Sequence, residues 1–371
     1  MKTLKTLALI LALAAPGAAS AQLTTTKLTA TKGNEYGLSY TLPVNGISVQ
    51  IAARKTVRTP GPFANYAGKY LNETPIINKS VSWEIAGTAI EETATPDAEE
   101  RYLVTLKGAG APFISVTEKG GMLTGVNTRR LGRAAGAEAT VLEAEEAAPT
   151  ILDSPAARQA VTAEMIQSTS TAKRAELAAA KIYELRNSRN EIISGQADAM
   201  PSDGAAMQLA LDRISEQEAA LTAMFLGTEQ VSVEVATYEL DFPELVAEGE
   251  SERVVVARLS QVDGLVDADD LSGAPVYCTF TLNTLAEIPL NEKGQPKTFP
   301  KGGVAYRIPG SASVALTYGG RTLEQATFDV AQYGVVFGLD PTLFTDKKAP
   351  SYLLLNPVTG GIVELGIVEG E

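Results

Sequence analysis

The chain reads as an α+β protein that is mainly β, with two antiparallel β-sandwich-like domains joined by a long antiparallel helical hairpin. Three observations carry that reading. Apolar and polar residues alternate at period two through most of the chain, as strands with one buried face require. Between Ser154 and Gly227 the period becomes helical, with Ala178, Ile182, Leu185 and Ile192 on one stripe and Met207, Leu211, Ile214, Leu221 and Phe225 on the next. Elsewhere glycine and proline cluster at short intervals, which marks turns between short strands.

Taken in order, Met1–Ala21 has the form of a secretory signal peptide. Lys2 and Lys5 make a basic start, Leu7 to Ala15 an apolar core, and Ala19-Ser20-Ala21 an A-x-A cleavage site. The apolar run is too short to span a bilayer, so no transmembrane anchor is expected. No cysteine follows the cleavage site, which argues against a lipid anchor. The expected product starts at Gln22, is exported, and resides in the periplasm or at the outer membrane.

Charge and composition remove several function classes. The chain carries 31 basic and 44 acidic residues, a net charge of −13, and removing Lys2 and Lys5 takes it to about −15. That field disfavours nucleic acid and anionic head groups. Cys278 is the one cysteine, so no internal disulfide can form, and its alternation with Val276, Phe280 and Leu282 marks it as a core thiol. Histidine is absent. This excludes Ser-His-Asp and Cys-His nucleophile systems and every imidazole metal site.

Residues 22–130 form the expected N-terminal β domain. Tyr36, Leu38, Tyr40 and Leu42 share one strand face, and Ile47, Val49 and Ile51 another, with a turn expected at Pro43 to Gly46. Val81, Trp83 and Ile85, then Tyr102, Val104 and Leu106, continue the pattern. Phe113–Val116 and Met122–Val126 flank a Gly120-Gly121 turn. Thr59-Pro60-Gly61-Pro62-Phe63 is a rigid turn leading into a short helix that places Phe63, Tyr66 and Tyr70 on one side. This row is the candidate ligand site, a stacking platform for a sugar ring; its plainer role is a plug at the end of the sheet.

Residues 131–153 are acidic and rich in alanine and glycine, as a solvated linker would be. Ser154-Pro155 then suits a helix start, and Gly195 a C-cap. Counting outward from the Gly195–Ser202 turn sets Arg186 level with Asp212, a cross-helix ion pair. Glu218, on the apolar stripe, is expected to face solvent or a cation. Residues 228–371 form the expected C-terminal β domain, with strands at Val231–Val235, Val254–Leu259, Val276–Leu282, Val304–Ile308, Ala312–Tyr318, Thr322–Val330, Val335–Phe337, Tyr352–Leu355 and Ile362–Ile367.

Short motifs add little. Ser170-Thr171-Ala172-Lys173 matches the S-x-x-K of penicillin-recognising serine enzymes, but S-D-N-like and K-T-G-like partners are missing. Asp263, Asp267, Asp269 and Asp270 crowd one loop without the spacing of a calcium-binding EF-hand. No catalytic residue, metal ligand or cofactor is assigned.

Tyr40-Thr41-Leu42-Pro43, Pro60-Gly61-Pro62-Phe63-Ala64-Asn65-Tyr66-Ala67 and Lys69-Tyr70-Leu71 resemble the N-terminal signature of a secreted Bacteroidetes family, domain of unknown function 4831. Leu185 to Arg189, Met200 to Gly204 and Phe225-Leu226-Gly227 resemble its centre. Tyr306-Arg307-Ile308-Pro309 and Gln332-Tyr333-Gly334 resemble its C-terminal signature. The resemblance implies envelope location and gives no residue a catalytic role. The expected function is a non-enzymatic cell-envelope binding or assembly module that meets another envelope protein through the hairpin. The alternative is a carboxylate-based glycan hydrolase, which needs two carboxyls about 5–10 Å apart beside the aromatic row.

Overall fold

A computed structural model describes residues 22–28, 37–108, 111–130 and 141–368. The expected signal peptide, Tyr36 and the first part of the linker lie outside them. Strand outweighs helix, 46% to 22%, so the chain is mainly β, with several antiparallel sheets.

The first part of the chain supplies β1 (Gln22–Lys27), β2 (Leu38–Thr59), α1 (Ala67–Tyr70), β3 (Ser80–Lys107), β4 (Ile114–Val116) and β5 (Leu123–Val126). Helices α2 (Pro155–Ala160), α3 (Ala163–Gln167), α4 (Thr171–Ser194) and α5 (Gly204–Leu226) follow. Then come β6 (Thr228–Asp241), β7 (Ser251–Ser260), β8 (Gly264–Val266), β9 (Ala274–Thr284), β10 (Val304–Tyr318) and β11 (Arg321–Leu339). The chain closes with α6 (Thr342–Thr345), β12 (Ser351–Leu355) and β13 (Ile362–Ile367).

Among the described residues three sheets form, in the orders β1-β3-β2-β6, β11-β10-β9-β7-β8 and β13-β12-β5-β4. Strands from before and after the helices meet in two of them. β6 pairs with β2 from Gly46↔Asp241 to Thr59↔Thr228, and β12 pairs with β5. Boundaries at residues 130 and 228 therefore divide the sequence without dividing the sheets. The shared cores say the same. Ile47, Val49 and Ile51 of β2 pack with Cys278, Phe280, Leu282, Val314 and Val330 of the second sheet. Tyr40 and Leu42 pack with Leu123, Val304, Phe337 and Leu353, where all three sheets meet.

The expected turn at Pro43 to Gly46 does not exist. β2 runs straight through it for 22 residues, buried almost without break from Tyr40 to Ala53. A proline inside a central strand removes a ladder donor, and strands tolerate that at bulges. Here Pro43 lies opposite Pro96 at a register shift in β3. Two residues on, the side chain of Asn45 does what a neighbouring strand would do. Its Nδ2 donates to the Asp329 carbonyl and its Oδ1 accepts from the Ala331 N–H, both at 2.8 Å. Gln332 returns the contact, donating from Nε2 to the Asn45 carbonyl and accepting from the Asn45 N–H at 3.3 Å. Residues 331–334 bulge out of the β10–β11 ladder opposite Pro309, and this amide pair satisfies the bulge.

The helical stretch also departs from expectation. One helix from Ser154 to Gly195 is three. Chain breaks at Val161 and at Ser168–Ser170 adopt extended backbone, and Ser154, Thr162 and Ser170 cap the helices that follow. Hydroxyl side chains compete for backbone N–H groups, which favours such restarts. Gly195, at φ 70°, closes α4 as expected. The described linker residues, 141–150, are largely exposed but fastened: Glu145 and Val233 exchange backbone hydrogen bonds at 2.9 and 2.8 Å, which covers part of the β6 edge.

Two outcomes follow. Asn45→Ala orphans the Ala331 N–H and the Asp329 carbonyl in a dry site, and should cost about 2–4 kcal/mol by urea midpoint. A loss below about 1 kcal/mol would show that the clamp is not holding the bulge. Close by, burial first and the Asp329 carboxylate second push the Glu92 carboxyl up to about 7. The folded state then holds this proton more tightly than the unfolded chain does. The group's contribution is full below about pH 4.5 and is lost as pH rises through about 7. Relative to Glu92→Gln, the unsubstituted protein should lose stability between pH 5 and pH 8; a flat difference contradicts the burial.

Candidate functional site

The aromatic row sits where the β2–β3 connection meets the helices. Phe63 N–H donates to the Met224 carbonyl and Ile76 N–H to the Leu226 carbonyl, both at 2.8 Å, so this connection grips the end of α5. Gly61 makes the grip possible, because a Cβ there would fall 2.2 Å from the Met224 oxygen. Phe63 is buried against Phe225, with ring centroids 5.4 Å apart. It is a core residue with no face left for a ligand. Tyr66 and Tyr70 are half-buried on the same cluster, 6.4 Å apart. Tyr183 of α4 donates to the Tyr70 carbonyl at 2.8 Å, and Lys69 lies 4.8 Å over the Tyr70 ring. The row works as a latch between sheet and helices.

Glu176, a carboxylate on the side of Lys69, has the wrong electrostatics for a general acid. Glu176 is hydrogen-bonded by Lys173 at 2.8 Å, and that ammonium holds its carboxyl below the ordinary range. A general acid needs the opposite shift. The S-x-x-K match has a structural explanation. Ser170 is the N-cap of α4 and accepts from the Lys173 N–H, so the spacing is that of a cap to N3.

The α4–α5 pair is buried at one end only. Ala175, Ala178, Ala179, Ile182 and Leu185 of α4 pack with Leu221 and Phe225 of α5. Beyond Leu185 no α4 side chain is buried, and before Ala220 no α5 side chain is. Leu211 and Ile214, placed on the seam by their spacing, are half-buried. At the far end Ile193 and Leu209 are 65% and 60% exposed, with Met200 exposed beside the turn.

The expected Arg186–Asp212 pair is not made. Arg186 Nε meets Glu218 Oε1 at 2.6 Å, Arg189 Nη1 meets Glu218 Oε2 at 2.7 Å, and Asp212 accepts instead from Gln208. Side chains on a helix lean toward its N-terminus, so Arg186 reaches away from the turn and Glu218 toward it. Each lean covers part of the ~9 Å that separates their Cα levels. Glu218 does meet a cation, and Arg189 is the second one that spacing did not suggest.

Among the described residues no group of three acidic or thiol side chains is placed to hold a metal ion. In the acidic loop Asp270 is spent on the Ser272 N–H. Cys278 is fully buried, and burial pushes its thiol up to about 12. No helix of the described residues is long and apolar enough to cross a membrane.

Comparison with known proteins adds one finding. No curated protein and no solved structure matches the chain. A family model described as "Domain of unknown function (DUF4831)" matches residues 36–363. Most of the motifs read from the sequence fall at two joints, the aromatic latch and the meeting point of the three sheets, while Leu185 to Arg189 and Met200 to Gly204 lie along α4 and at the turn before α5. With nearly the whole described fold inside the match, the chain belongs to the DUF4831 family.

Proposed function

We propose that this protein is an exported cell-envelope component that acts as a non-enzymatic binding or assembly module. In this reading two sandwich-like β regions carry a helical hairpin, and the free end of that hairpin meets another envelope protein. One observation supports it above the others: the α4–α5 pair buries its seam at the base and leaves Ile193, Met200 and Leu209 uncovered at the tip. Two helices alone cannot bury both sides of a seam, so an uncovered tip is a surface with something to gain from a partner. Export rests on the form of Met1–Ala21, and fractionation beyond the inner membrane with a start at Gln22 tests it. A cytoplasmic, uncleaved form from native cells would overturn export.

The base and tip should separate in mutagenesis. Leu221→Ala, in the fully buried base, should cost about 2–5 kcal/mol, whereas Leu211→Ala should cost less than about half as much. Equal losses would mean that the tip is buried too. A photo-reactive residue at position 209 should give one dominant cross-linked protein in native cells. The same probe at exposed Val246 should not, and Ile193→Glu should remove the adduct while leaving the melting temperature unchanged. Equal labelling from both positions contradicts docking through the tip.

A further inference from the structure

A second surface, far from the hairpin in the fold, has the make-up of a small-molecule site. β1 is the edge of its sheet, and Thr25 N–H donates to the Gly302 carbonyl at 3.0 Å, which stands the 299–303 turn beside the strand. A cavity of about 350 Å³ opens between them, within the range of ligand pockets.

Its two walls differ in chemistry. On one side is Phe299, 46% exposed, with Val336 beneath it. The ring is fixed: it packs edge-on to Phe337 at 6.1 Å and lies so close over Gly338 that a Cβ there would sit 2.8 Å from it. Exposing an anchored phenyl ring to a cavity has no benefit for folding.

Opposite stands a polar chain. Lys27 Nζ and Glu100 Oε1 are 2.5 Å apart, and the buried Tyr102 hydroxyl donates to Glu100 Oε2 at 2.5 Å. Burial and the Glu100 carboxylate hold the Tyr102 hydroxyl above its ordinary range, so it remains a donor. Thr25 completes the wall. Its hydroxyl oxygen is sealed from solvent on the side of the Tyr40 hydroxyl, so the residue shapes the wall without presenting that oxygen to an occupant. The nearby Tyr40 hydroxyl is taken up by Ala305, donating to its carbonyl at 3.2 Å and accepting from its N–H at 2.9 Å.

The occupant must cover an aromatic face with C–H groups and offer both donors and acceptors at its edge. A lipid chain would leave the Lys27–Glu100 pair unmatched. A phosphate would meet the Glu100 carboxylate, and with Lys27 and Glu100 cancelling, nothing calls for a net charge. A sugar ring meets each of these conditions, and about 350 Å³ has room for one. We propose that this cavity binds a pyranose residue of a glycan, stacked on Phe299 with its hydroxyls on Lys27 and Glu100.

The test uses the full chain and the methyl glycosides of glucose, galactose, mannose and N-acetylglucosamine, followed by saturation-transfer NMR and calorimetry. At least one glycoside should receive saturation on its ring protons. Phe299→Ala should weaken its binding by roughly tenfold, the usual worth of an aromatic stack, in a protein still shown to be folded by circular dichroism. Lys27→Met should weaken it several-fold, and Tyr70→Ala should leave it unchanged. Three outcomes overturn the proposal: no glycoside binds at tens of millimolar, binding survives Phe299→Ala, or binding is lost with Tyr70→Ala. None of them bears on the hairpin tip, whose cross-linking is read separately.

Discussion

The buried amide of Asn45 is the contact on which the rest of the structure depends. β2 lies inside one sheet, forms part of three cores and leads through Phe63 into a fourth. A strand that central must be satisfied along its whole length, yet it carries Pro43 and faces a bulge in β11. Asn45 and Gln332 resolve both problems by mimicking a backbone pair across the gap. The same junction holds a buried ion pair between Arg307 and Asp97, with Arg307 also donating to the Ala331 carbonyl at 3.3 Å. Such a pair adds little net stability over an apolar replacement, but losing one partner leaves a dry charge. Its place where three sheets meet suits a role in register.

The family resemblance takes on a physical meaning from this arrangement. Tyr40 to Pro43, Tyr306 to Pro309 and Gln332 to Gly334 all lie at the three-sheet junction. Tyr40 bonds to Ala305, Arg307 N–H donates to the Gly360 carbonyl, and Gln332 grips Asn45. The PGPFANYA run and Phe225-Leu226-Gly227 meet at the helical latch. These segments are far apart in the chain and adjacent in space. They carry close backbone approaches, amide clamps and buried aromatics, which are the parts of a fold least tolerant of change.

Much of the β architecture was legible in the sequence because a half-buried strand writes its face as alternation. Val276 to Leu282 and Val314 to Leu316 are examples, and Cys278 was readable as core on the same ground. Pro43 was misread as a turn because proline and glycine signal one by local chemistry, while a side chain from Gln332 cancelled the signal. The helix breaks at Val161 and Ser168 were hidden for the converse reason: caps are local, but periodicity is judged over a longer window. Arg186 was paired with Asp212 by counting Cα levels, which neglects the lean of long side chains. Lys27, Tyr102 and Phe299 had no signal at all. No spacing joins them, and only the crossing of β1, β3 and the 299–303 turn brings them together.

The helical pair shows how one sequence can build a fixed base and an open tip. At the base, Ala175, Ala178, Ala179 and Ala220 are small enough for close approach, and Phe63 and Phe225 fill the space beside them. Gly61 lets the β2–β3 connection hold the last turn of α5 by its backbone, so the helices leave the β body at a set angle. Toward the tip the small residues give way to Arg186, Arg189 and Glu218, an ion triad at the rim of the buried region. Past that rim Leu211 and Ile214 still follow the seam while Ile193 and Leu209 face outward. Alignment is therefore set at the base and by the triad, and the tip is left free to be shaped by what it meets.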